Sequence, residues 1–226
     1  MKAAARIVAE CEGGRTVLRV LKGEPPLLPR RTGPARVHLV GGAAGPLGGD
    51  ELSLEIEVGP GAELWIGTVA AAIALPGRSG AESVLAVHAT VGAGGTLVFL
   101  PEPIVAAARC RHRNVSTVEL AAGARLVWRE EAVLGRFGEE AGELRLSTAA
   151  RREGRPWYRS DVTTGRGPAL LGDARVLASL LTTAEVTAPA GPDAAVMALA
   201  NGGSLVTALG DDLAQTRAVT DPLTTP

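Results

Sequence analysis

Apolar and polar positions alternate most cleanly from Leu52 to Val58, LSLEIEV, where Leu52, Leu54, Ile56 and Val58 share one face and Ser53, Glu55 and Glu57 the other. That period of two is the mark of a half-buried strand. VLAVHATV (Val84–Val91) and VSTVEL (Val115–Leu120) repeat it less strictly. Each run leads into a glycine turn and a second apolar run, giving VGPGAELWI (Val58–Ile66), VGAGGTLVF (Val91–Phe99) and LAAGARLVW (Leu120–Trp128). Gly61, Gly94 and Gly123 align at spacings of 33 and 29 residues, with Leu64, Leu97 and Leu126 three positions after them. Glycine supplies the positive φ that such turns demand. The unit is strand, turn, strand. Its recurrence fits either stacked β-coils, each layer burying its apolar face on the next, or hairpins in a meander.

Outside the repeat, EPPLLPRRTGP (Glu24–Pro34) reads as an extended connector. A strand is expected at Leu144–Thr148, followed by a polar turn at Glu153–Arg155 and a return strand. Leu170–Thr183 fits a helix or a buried strand equally well. The end of Ala188–Asn201 reads as helical, capped by Asp193 and stopped by Asn201-Gly202. GSLVTAL is expected as a strand, and GDDLAQTRAV as a short helix with acidic residues in its first turn. The fold class is therefore mainly β, a stacked, β-helix-like coil with a few short C-terminal α-helices. It is read as one domain over residues 1–226, with a motif-bearing β region at about 36–165 and a mixed part at about 166–220.

At 226 residues such a chain buries roughly 70% of its unfolded surface, so it needs no metal or disulfide to fold. Net charge is −1, which gives no global field for nucleic acid or anionic lipid. Cys11 and Cys110 form neither a disulfide framework nor a CxxC zinc pattern. No run approaches the ~18 to 20 apolar residues of a membrane span. A cytoplasmic protein without nucleic-acid or membrane partners is expected.

The search for chemistry returns little. VGGAAGPLGGDELS (Val40–Ser53) is rich in glycine, yet it has no GxxxxGK[ST] or GxGxxG pattern and leads into a strand rather than a helix. Its glycines are read as turn formers, with Asp50 bonding local N–H groups. No GxSxG elbow or HExxH pair is present. In ARCRHRNV, an extended backbone puts Arg109, Arg111 and Arg113 on one face and Cys110 and His112 on the other. Thiolate and imidazole could together contact a borderline metal, but two ligands do not close a site. The favoured reading is a buried cysteine beside a hydrogen-bonded histidine. The paired carboxylates Glu130–Glu131, Glu139–Glu140 and Asp211–Asp212 are read as solvated surface.

The motifs together resemble the urease accessory protein UreD family, called UreH in some organisms. That family has a histidine-bearing strand, a GG-hydrophobic-hydrophobic-GGD turn, a strand and a GA turn. Here these are VHLVGGAAGPLGGDELSLEIEVGPGAEL, with Gly45, Gly48, Gly49 and Asp50 in the family positions and Gly61 in the GA turn. A second GA turn then precedes an LPxPxI segment ending in Ala-Arg, here VGAGGTLVFLPEPIVAAAR with Gly94, Pro101, Pro103, Ile104 and Arg109. LAAGARLVWREEAVLGR, GRPWYRSD and LLGDARVLASLL also match, the last resembling compact actinobacterial members. One segment departs. Where the family has TTQAATKxYR, this chain has IGTVAAAIALPGR, which keeps Thr68 but loses the Gln, Lys and Tyr.

The resemblance implies a non-enzyme. It implies a scaffold between urease apoprotein and a complex of UreF with the GTPase UreG, in a dimer of heterocomplexes, delivering nickel to the urease active site. The matching motif residues then serve structure or partner binding. No cofactor is held tightly; nickel is in transit, with Cys110 and His112 as candidate transient ligands. The competing readings are a β-solenoid enzyme, such as a polysaccharide lyase or acyltransferase, and a UreD-like scaffold with a different partner.

Overall fold

A computed structural model describes residues 1–78, 80–164, 171–187 and 193–225. The three repeats are successive layers of a parallel coil. β4 (Arg36–Gly41), β6 (Glu63–Thr68), β9 (Thr96–Leu100) and β12 (Arg125–Leu134) run parallel in one sheet. β5 (Glu51–Val58), β8 (Ser83–Val91), β11 (Arg111–Leu120) and β13 (Glu143–Arg152) run parallel in the other. The chain passes between the sheets at each glycine turn, so the aligned leucines become neighbours: Leu64 pairs Leu97, and Leu97 pairs Leu126. The turns stack too, Gly61 N–H donating to Ala93 O and Gly94 N–H to Ala122 O, both at 3.0 Å. Gly61, Gly94 and Gly123 all hold φ between 64° and 68°. Stacking, not a meander, explains the repetition.

Alternation decides what each layer buries. Ile7, Ile56, Ala89, Val118 and Ala150 line up across five strands as one inward ladder, and all are buried. Opposite them Ile66, Phe99 and Trp128 form a ladder from the second sheet, with the Phe99 and Trp128 rings stacked at 4.2 Å. Each of the larger side chains, such as Ile7, Ile56, Ile66 and Phe99, contributes about 1.5–3 kcal/mol when withdrawn from water. The ends are closed by antiparallel hairpins: β1 (Lys2–Glu12) with β2 (Arg15–Gly23), and β13 with β14 (Arg155–Thr164). β1 itself joins the stack parallel to β5. Short strands β7 (Ala72–Ala74) and β10 (Ile104–Ala106) pair with each other, and β10 also pairs β12.

Three sequence expectations need correcting. The proline-rich connector contains β3 (Leu27–Gly33), which pairs antiparallel with β4 at the edge of its sheet. Pro29 is tolerated because an edge strand leaves one side of its backbone unpaired. Ala188–Asn201 is not helical in its described part. Residues 188–192 lie outside the described residues, and β16 (Ala194–Ala198) forms a hairpin with β17 (Ser204–Gly210), Val196 opposite Val206. Alanine's helix preference is weak beside the hydrogen bonds of an available sheet edge. The C-terminal helical structure includes, among the described residues, α1 (Leu213–Thr220) and a 3-10 turn at Asp221–Leu223. The first turn of α1 holds no acidic residue, contrary to expectation: Asp212 stands before it as the cap, accepting from Gln215 N–H at 3.0 Å. Of the segment read as 170–183, residue 170 lies outside the described residues and Val176–Thr182 form strand β15, which joins β12 to β17.

α1 lies over the outer face of the second sheet. Beneath it Val98, Val127, Leu180 and Val206 form a separate apolar cluster with Val219. β12 is thus covered on both faces, and this governs the carboxylates it carries.

Candidate functional site

Between the sheets lies a cavity of about 400 Å³. The inward ladders change character along the stack. Leu54 and Val87 are followed in register by Ser116 and Thr148, and Leu52 and Leu85 by Asn114. The later layers therefore present Ser116, Thr148 and Asn114 where the earlier ones present hydrocarbon, while Leu146, beside Asn114 in register, stays apolar. Glu130 projects from β12 into this polar end. Its carboxylate accepts from Thr148 Oγ1 at 2.8 Å and more weakly from Ser116 Oγ at 3.4 Å. Burial pushes its pKa up, and these two hydroxyls only partly offset that.

Glu131, one residue on, faces the other way. Arg217 of α1 grips it, Nη2 at 2.7 Å from Oε2 and Nε at 3.1 Å from Oε1, and also reaches Glu102 at 3.0 Å. Arg129, buried beside it, bonds Asp221 at 2.6 Å. The pair read from the sequence as surface is therefore the most buried acidic pair of the described chain. Both contribute to the cavity lining, but Glu130 bonds the hydroxyls across it while Glu131 locks α1 to the sheet. Sequence reasoning missed this because two adjacent charges break an alternating pattern only when one face is wet. On a strand covered twice, WREEAVL is the one available signal: a charged triplet inside a run of apolar residues.

The motif residues divide. Gly45, Thr68, Pro101 and His112 line the cavity. Gly48 is pressed against Gly77, where a Cβ would stand 2.5 Å from the Gly77 nitrogen, and Gly49 holds φ +91°. Asp50 is buried. Its Oδ2 accepts from Leu47 N–H at 2.8 Å, and Oδ1 meets the Met1 ammonium. Thr68 Oγ1 accepts from Glu102 N–H at 2.9 Å and donates to Ala70 O. Pro103 O accepts from Ala72 N–H at 3.0 Å, tying the LPEPI segment to the Thr68 loop. Gly61 and Gly94 sit at the opposite end of the coil, in the stacked turns. Arg109 is exposed, in a turn with φ +61°.

Cys110 and His112 are both buried, as the alternation implied, while Arg111 is exposed on the other face. His112 Nδ1 bonds Ser83 Oγ and Nε2 bonds Asn114 Oδ1, each at 2.8 Å. Burial lowers its pKa. Burial also pushes the Cys110 thiol up to about 11. Both ring nitrogens are thus engaged and the sulfur is held as a thiol, an arrangement that disfavours metal ligation. Among the described residues no three His, Cys, Asp or Glu side chains gather as a metal site.

A parallel β-coil with a polar-ended cavity between its sheets, and a helix ion-paired over its outer face, is a β-solenoid-like fold. A family profile described as UreD urease accessory protein matches residues 1–225. The chain is similar to the urease accessory protein UreD of Parafrankia sp., 40% identical over 99% of this chain and 88% of that one. UreD of Streptomyces avermitilis is 41% identical over 98% and 95% of the two chains, and that of Frankia alni 44% over 89% and 77%. The chain belongs to the UreD family of urease accessory proteins. No helix among the described residues is long and apolar enough to cross a membrane.

Proposed function

We propose that this chain is a non-catalytic scaffold of urease maturation, joining urease apoprotein to UreF and the GTPase UreG while nickel passes to the urease active site. The observation that carries the reading is the family match along the whole chain. The cavity is compatible with cargo in transit. Glu130, with Ser116 and Thr148, offers a few hard oxygen donors and no closed Cys/His cage, so a divalent ion would be held weakly enough to leave. On this reading the Glu130 carboxyl releases its proton as the cation arrives and recovers it afterwards. The protein would act in the cytoplasm, where urease is assembled.

A UreD-like scaffold serving another partner is favoured by one feature, the Val69–Arg78 segment. It presents exposed Val69 and Ile73 in place of the family's Gln, Lys and Tyr. The test is the nickel content and activity of urease co-expressed with its other accessory proteins, with and without this chain. Metallation that collapses without the chain supports the proposal. Full metallation in its absence rejects it and turns attention to the other partner.

A further inference from the structure

At the ends of the two sheets stand four edge strands, β2 and β14 in one and β3 and β16 in the other. An open strand edge invites pairing with another chain, and exposed charges are the usual protection. Three of these edges carry it: Arg15, Arg19 and Lys22 on β2, Arg30 and Arg31 on β3, Arg155 and Arg159 on β14, all exposed. β16 reads AAVMA and carries no charge. On it Met197 is 43% exposed.

The strand is held in place before any partner arrives. Its hairpin with β17 is closed at the turn by Leu199 N–H to Gly203 O at 3.0 Å, and at the other end by Leu209 N–H to Asp193 O at 2.7 Å. The turn is tied to β14 by Trp157 Nε1, which donates to Gly202 O at 2.8 Å, and to β13 by Arg152, which donates to Asn201 O at 3.3 Å. An edge ordered in advance loses little freedom on pairing.

Those end bonds also settle which way the backbone points. In an antiparallel pair, residues alternate between turning N–H and C=O toward the partner and turning them away. Asp193 and Leu199 bond across to β17, so Ala195 and Met197 do as well, while Ala194, Val196 and Ala198 turn theirs outward. Among the described residues no strand meets these three. A second copy laid antiparallel about a two-fold axis at Val196 sets Val196 against Val196 and Ala194 against Ala198. Every outward N–H then finds a carbonyl. On the opposite face the same register sets Met197 of each copy beside Ala195 of the other, large against small. Self-pairing of β2 or β3 would instead crowd like charges.

We propose that this chain forms a symmetric dimer by antiparallel pairing of β16 with β16 of a second copy, centred on Val196. The contact is five residues a side, so the affinity is micromolar, roughly 1–100 µM. The dimer belongs to the chain alone and is independent of the scaffold reading.

Sedimentation velocity of the full chain without partners, over about 1–200 µM, provides the test. Wild type is expected to pass from monomer to dimer across that range. Met197→Lys should weaken the dimer at least about ten-fold by placing a charge on the bare edge. Ala198→Pro should do the same, because it deletes an outward N–H and leaves the bonds to β17 intact. Both variants should melt with the wild-type monomer at low concentration. Mixing Met197→Lys with Ala195→Glu should restore a heterodimer, since the Val196-centred register brings lysine and glutamate together. Wild type that stays monomeric to about 200 µM overturns the proposal. So does a dimer that either Met197→Lys or Ala198→Pro leaves within about two-fold of wild type, and so does a loss that the mixture fails to restore.

Discussion

Replacing Arg217 by methionine removes the fork that joins α1 to β12 but keeps most of the aliphatic stem. In the native protein Arg217 bonds Glu131 at 2.7 to 3.2 Å and Glu102 at 3.0 Å. Without it, Glu131, whose side chain is 0% exposed, keeps only Arg129, whose Nε lies 3.6 Å away. Breaking a buried pair from one side costs about 3–5 kcal/mol because the other charge remains buried. Two features reduce that here: Arg217 is itself 24% exposed, and Arg129 still compensates part of the charge. A loss of about 2–3 kcal/mol follows. For a chain of this size that lowers the melting temperature by about 5–10 °C. Scanning calorimetry reads the global loss. Hydrogen exchange should show α1 amides opening before those of β5 and β8, because the broken ion pair is the one that anchors the helix. Arg217→Lys, which keeps the charge without the fork, should fall between. A melting temperature within about 1 °C of wild type, with α1 protection unchanged, would refute the claim that this ion pair fastens the helix.

Glu130 gives a pH-dependent test. Burial raises its pKa, so the fold binds a proton that the unfolded chain releases. Its stabilising contribution is full below the ordinary glutamate range and is lost as pH rises through the folded value. Glu130→Gln should therefore be more stable than wild type at pH 8, with no gain near pH 4, by urea denaturation at both. A gain independent of pH counts against the assignment. Gly48→Ala places a methyl 2.5 Å from Gly77 N and 2.7 Å from Ala81 O, and should cost about 2–3 kcal/mol and loosen the 42–50 loop to proteolysis. Gly94→Ala, where nothing lies within 4 Å but φ is +64°, should cost only about 1 kcal/mol. Equal costs would mean that the two loops give way, and that their close approach is not what requires a glycine at position 48.

Local order was written in the residues. Alternation in LSLEIEV, glycine at each turn and leucine three residues later fixed the strands and the repeat, because side-chain direction and positive φ are local properties of the backbone. The burial of Cys110 and His112 followed from the same parity. The short helix α1 was legible too, although its aspartates stand before the first turn and not within it. Motifs in the right order also carried the family, since each records a backbone constraint: Gly48 against Gly77, Asp50 inside its own turn.

What the chain could not state locally was how the layers met. Whether three hairpin-like units stack or meander depends on partners about thirty residues away, and parallel pairing of Leu64, Leu97 and Leu126 exists only once the coil closes. The alanine-rich Ala194–Ala198 became a strand because β17 offered an edge. Glu130 and Glu131 looked solvated because exposure is not a property of a residue or its neighbours. It was decided by what lies on each side of β12, a cavity on one face and α1 on the other, and that is settled only when distant segments pack.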